Sequence, residues 1–149
     1  MQKPFKYPTV QLPPLTNFVY DKTLDGWELI EDVPLVGNER LEIIDVTEIG
    51  ENFLVGDEFL GRAKKIGRCA GQRHAEQLST HIGVPENWEL RIPASWGGFH
   101  LLFFPGTVWK EKDGSLYIPS IHISGGFEFS YLGFGYSDNC RTVHVKKNA

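Results

Sequence analysis

From residue 57 the apolar positions recur with the period of a helix. Phe59, Leu60, Ala63 and Ile66 fall on one stripe, and Ala70, His74, Leu78 and Ile82 continue it at intervals of four. Asp57 stands after Gly56 as a candidate N-cap, and Gly83 followed by Val84-Pro85 ends the pattern. Gly67 and Gly71 interrupt it, each costing about 1 kcal/mol relative to Ala inside a helix. The spacing predicts two helices over 57–82, or one helix broken between Gly67 and Gly71.

On both sides of this stretch the period shortens to two. Trp27–Ile30 and Arg40–Val46 read as short strands, the second alternating Leu41 and Ile43 with acids, and Gly37-Asn38 between them is a turn signal. Residues 89–147 read as antiparallel strands divided by Gly97-Gly98, Asp113-Gly114, Gly125-Gly126 and Asp138-Asn139. Phe99, Leu101 and Phe103 alternate with His100, Leu102 and Phe104, so that strand is apolar on both faces and should be covered on both. Residues 1–16 carry Pro4, Pro8, Pro13 and Pro14 together with Phe5, Tyr7, Val10, Leu12 and Leu15, which predicts an extended arm laid on a surface. The pattern is that of an α+β fold, an antiparallel β-meander of about five to seven strands, curved toward a half-open barrel and packed on one broken helix. It divides the chain into an N-terminal arm, 1–16, and one domain, 17–149.

Two-residue loops at the last three turns would fix the pairing of these strands. Trp109 then faces Ile118, Ser120 faces Tyr131, His122 faces Phe129, Gly135 faces Thr142 and Gly133 faces His144. Because side chains alternate, Val108, Ile121, Ile123, Leu132, Phe134, Val143 and Val145 share one face, the core beneath the helix. Trp109, Ser120, His122, Phe129, Tyr131, Thr142 and His144 share the other, with Gly133 and Gly135 leaving a hollow in its floor. Aromatic walls with a few convergent polar groups build small-ligand sites, so these seven residues are the candidate ligand- or partner-binding set. Cover by the arm, or by the strands of residues 26–48, is the competing reading of that face.

Length and composition narrow the classes. A chain of 149 residues suits one domain and needs no metal or disulfide staple. No run approaches the roughly 20 apolar residues of a membrane helix, and the N-terminus lacks the apolar core of a secretory signal. The expected location is therefore cytoplasmic, with Cys69 and Cys140 as reduced thiols; a single long-range disulfide is the alternative. Charge is segregated. Between Asp21 and Glu58 twelve acids stand against Lys22 and Arg40, and Arg62, Lys64, Lys65, Arg68 and Arg73 then follow with no acid until Glu76. Neighbouring faces that partly neutralise each other explain this. An acidic patch imitating a polyanion, or a basic helix gripping phosphates, is the sharper reading. No aromatics interleave with the basic run, which argues against nucleic acid as a partner.

The familiar catalytic and nucleotide-binding signatures are absent, so no cofactor is implied. His74 and His81 lie two helical turns apart, and His122 and His144 are separated by an intervening strand, so no metal site is expected. Three function classes follow. The favoured one is a non-enzymatic binding protein that uses the aromatic and polar sheet face to hold a protein partner or a small ligand. The second is a small hydrolase with His122 or His144 as general base. The third is a structural subunit, a homo-oligomer docked through residues 1–16.

Overall fold

The computed structural model describes residues 18–34, 40–48, 50–79, 101–122, 126–137 and 140–146. The arm over 1–16, the Gly37-Asn38 turn, the helix end at Ile82–Pro85, the Gly97-Gly98 and Asp138-Asn139 turns and Ile123 lie outside them. The elements are β1 (Glu28–Glu31), β2 (Arg40–Ile44), β3 (Phe53–Leu54), α1 (Gly56–Ile66), α2 (Gln72–Ser79), β4 (Leu101–Phe103), β5 (Val108–Lys110), β6 (Leu116–His122), β7 (Phe127–Tyr131), β8 (Tyr136–Ser137) and β9 (Cys140–Lys146). Short 3-10 turns occupy Lys22–Asp25 and Leu132–Phe134.

The fold is α+β with, among the described residues, an open sheet of seven strands, but the sheet is mixed rather than a pure antiparallel meander. β9 runs parallel to β4 and antiparallel to β2. β6 is the spine. β7 lies on one of its edges. Its other edge is shared by two strands, β5 against Leu116–Tyr117 and β4 against Ser120–His122. Residues 104–107 bow out between them, so the sheet forks. One prong continues from β5 to β1, the other from β4 to β9 and β2.

The interhelical segment fills this fork. The glycines break the helix where their spacing predicts, and residues 68–70 run extended against β9. Ala70 N–H donates to Val143 O and Val145 N–H to Arg68 O, while Gly106 N–H donates to Ala70 O on the other side, each at 2.9 Å. Gly106 is required there by space, since a Cβ would stand 2.8 and 2.9 Å from the Cys69 and Ala70 carbonyl oxygens.

This crossing puts the two helices on opposite faces. Ile44, Phe103, Ile118 and Cys140 pack with Phe59 and Ala63 of α1, whereas Leu41, Leu102, Ile121 and Val143 pack with Ala75 and Leu78 of α2. The ladder partners agree with that division, because Phe103 opposes Thr142 and Leu102 opposes Ile121. The expectation of one helix over one face, with the other face open, is thereby corrected. α1 begins after Val55 with no side-chain cap; Asp57 sits inside its first turn, where its charge still meets the helix dipole.

The register also differs from two-residue loops at each turn. At Asp113-Gly114 the loop has three residues. Glu111 N–H donates to Ser115 O at 2.9 Å, and Gly114 takes the left-handed conformation that closes such a loop (φ 91°). Trp109 therefore opposes Tyr117, not Ile118. At the next turn His122 N–H bonds Gly126 O, so Ser120 opposes Glu128 and Tyr117 opposes Tyr131. That slip of three is odd, which turns β7 over relative to the expected face. Among the described residues the ladder of the third hairpin is not made. Gly135, at φ 79°, ends a 3-10 turn, and the chain leaves to pair β8 with β3. Of the expected core set, Val108, Ile121, Leu132 and Val143 are buried and Val145 is half-buried, but Phe134 is 78% exposed.

The acidic and basic segments meet each other. Lys64 pairs with Glu31, Arg73 with Asp32, and Arg62 with Glu51 and Glu58. The Arg62 guanidinium, bonded to both Glu51 oxygens, holds that carboxyl down at about 2. These pairs use the charge that a polyanion mimic or a phosphate grip would have to leave uncommitted.

Candidate functional site

The seven residues expected to share an open face are distributed through the molecule. Trp109 is fully buried. Its indole N–H donates to Gln72 Oε1 at 2.6 Å, and its ring meets Phe18 edge-on at 5.5 Å. Gln72 donates in turn to Tyr20 O and Glu76 Oε2, and the buried Glu76 carboxylate accepts the N–H groups of Val19 and Tyr20. This network ties the segment before the first 3-10 turn to α2. Trp109 thus anchors a polar core and is not on an exposed wall.

Ser120, Thr142 and His144 are buried as well. Ser120 Oγ lies 2.6 Å from Ser130 Oγ. The Thr142 hydroxyl donates to Ile44 O at 3.2 Å, so it accepts from His144 Nε2 at 2.8 Å, which fixes the imidazole tautomer. His144 Nδ1 is then a buried acceptor with no hydrogen-bond partner among the described residues, and burial pushes the imidazole down to about 4. A base this enclosed does not serve the hydrolase reading. His122 is half-buried at the end of β6, directly opposite Leu101.

Phe129 and Tyr131 are brought together by a feature the sequence reading placed differently. A cleft of about 520 Å³ opens along the edge of β7 that pairs with no strand among the described residues, and along the turn that follows it. Its aromatic lining is Phe53 from β3, Phe103 from β4, Tyr117 from β6, Phe129 and Tyr131 from β7, and Phe134 from the turn. Its polar lining is Glu128, Ser130, Ser137 and Cys140. Tyr131 is the hinge of the wall, with ring centroids 5.6 Å from Tyr117 and 5.0 Å from Phe134. Phe53 is 53% exposed, Phe134 78% and Tyr131 37%, so three rings stand at the mouth with much of their surface in water. The Tyr117 phenol is pushed up, by desolvation first and then by the carboxylates of Glu111 and Asp113.

Local sequence explains why this edge is shaped so. Gly133 lies where a Cβ would strike the Tyr131 ring at 2.4 to 2.6 Å, and Gly135 turns the chain away. The two glycines were expected to floor a hollow in a sheet. They instead make a tight reversal that throws Phe134 outward. Phe53 carried a faint signal as part of the short apolar run Phe53-Leu54-Val55 between Glu51 and Gly56, but only the β3–β8 pairing brings it to the cleft that Tyr131 and Phe134 also line.

Cys69 and Cys140 are both free and buried, and burial pushes the Cys69 thiol up to about 11, far from a reactive thiolate. Among the described residues no group of His, Cys, Asp and Glu side chains is arranged to hold a metal ion, and no helix is long and apolar enough to cross a membrane. Comparison with protein-family models, curated proteins and solved structures finds no match to this chain.

Proposed function

We propose that the chain is a non-enzymatic binding protein that holds a small ligand in the cleft along β7. The observation that carries this reading is the exposure of the three rings, Phe53, Tyr131 and Phe134, around one concave site. Leaving so much aromatic surface in water costs free energy unless something covers it, roughly 25 cal/mol for each Å². The volume falls in the range of small-molecule sites, about 300–1,000 Å³, and the lining pairs apolar walls with a few polar groups. A flat protein interface would not need the recess, so the small ligand is preferred to a protein partner.

The test uses fragment titration followed by amide chemical shifts. Binding fragments should move residues 127–137, and the Tyr131→Ala/Phe134→Ala double substitution should weaken them by about tenfold or more. Phe134 is too exposed to support the core, so Phe134→Ala alone should cost under about 0.5 kcal/mol of stability. Fragments that bind elsewhere, or bind the double variant unchanged, refute the assignment.

A further inference from the structure

The chemistry of the lining points further, to the class of ligand, and this inference rests on the cleft being a binding site. Among its described lining residues there are six aromatic rings, one carboxylate, Glu128, and no basic side chain. Glu128 is exposed, and its carboxylate has no hydrogen-bond or ion-pair partner among the described residues. An aromatic ring presents a negative face, so several rings with one free carboxylate make a site complementary to positive charge. We infer that the cleft binds an organic cation, an alkylammonium whose charged head sits beside Glu128 against the cleft's aromatic lining.

Two further observations agree. Glu111 and Asp113 bring negative charge to Tyr117, a residue of the lining. The chain also places a cation of its own on the adjoining rings, since Lys22 Nζ stands 4.2 Å from the Trp27 ring centre and 5.6 Å from that of Phe129, a ring that lines the cleft. Lys22 is held there by a carboxylate, Asp25, at 2.7 Å. Ammonium, ring and carboxylate already occur together at one end of this aromatic cluster. The cleft offers the same partners with the ammonium position open to a ligand.

The experiment compares choline with its neutral carbon isostere, 3,3-dimethyl-1-butanol, by amide chemical-shift titration of the full chain at constant ionic strength. Choline should bind with shifts centred on residues 128–135 and at least about fivefold more tightly than the isostere. The preference should narrow in Glu128→Gln and vanish in Tyr131→Leu/Phe134→Leu, with thermal melts confirming that both variants fold. Equal affinity for the two probes overturns the cation assignment and leaves the binding reading intact. A preference that survives both variants also overturns it. Absence of any shift with either probe, together with failure of every fragment, overturns both readings.

Discussion

Replacing Gly106 by Ala tests the crossing of the sheet. The new Cβ would stand 2.7 Å from Val33 Cγ2 and 2.8 and 2.9 Å from the carbonyl oxygens of Cys69 and Ala70. Carbon atoms rest at about 3.5–4.0 Å, so all three neighbours would have to give. Val33 can rotate, but the carbonyls cannot move alone. Ala70 O accepts the Gly106 N–H, and Ala70 N–H donates to Val143. Pushing this segment away strains both bonds. Overpacking costs about 1–3 kcal/mol, and a weakened buried hydrogen bond adds about 1 kcal/mol, so the expected loss is about 2–4 kcal/mol. Urea denaturation measures it, with the slope checked for a change in exposed area. Gly61→Ala is the control. Gly61 lies within α1 with nothing inside 4 Å of an added Cβ, so it should gain up to about 1 kcal/mol. The reasoning is refuted if Gly106→Ala stays within about 0.5 kcal/mol of the parent at unchanged slope while Gly61→Ala gains.

Two further outcomes follow from the buried polar groups. His144 has a folded-state value of about 4, below the ordinary 6.5, so the unfolded chain takes up a proton first. Its contribution to stability is full above pH 6.5 and is lost as the pH falls toward 4, by about 3 kcal/mol in all; His144→Leu should remove this part of the slope in denaturation curves between pH 7 and 4.5, and an unchanged slope would refute it. Trp109→Phe leaves Gln72 Oε1 without its donor and opens space in the core, so the midpoint of denaturation should fall by an amount equivalent to about 3 kcal/mol. Choline affinity should not change in this variant, because Trp109 does not line the cleft.

What the sequence showed depended on how local the cause was. The helix break was readable because Gly67 and Gly71 act on their own backbone, and β2 was readable because Leu41 and Ile43 alternate in place. Register was not, because it hangs on loop length. Lys112-Asp113-Gly114 and a two-residue Asp113-Gly114 turn have the same composition signal, and only the left-handed Gly114 bulge tells them apart. The seven candidate residues were sorted from that register, so an error of three at β7 moved Phe129 and Tyr131 relative to Ser120. The burial of Trp109 goes with Gln72, 37 residues away in sequence, and the Thr142 hydroxyl that meets His144 is itself oriented by Ile44 on another strand. No periodicity could announce the parallel β4–β9 pairing, which brings Leu101 beside Cys140.

The crossing at residues 68–70 has a consequence for the order in which the molecule can assemble. This segment takes its hydrogen bonds from Val143 and Val145 on one side and Gly106 on the other, so it has no ladder of its own until β9 is in place. α1 and α2 could each curl early, but neither has a settled face to rest on while the strand between their two cores is missing. Closure waits on contacts that span more than seventy residues, and chains dominated by such distant pairings fold slowly. Once closed, the two cores are stitched through a single slot. Opening that slot exposes Phe59 and Leu78 in the same event, so hydrogen exchange should show amides on both faces losing protection together, as one unit rather than two.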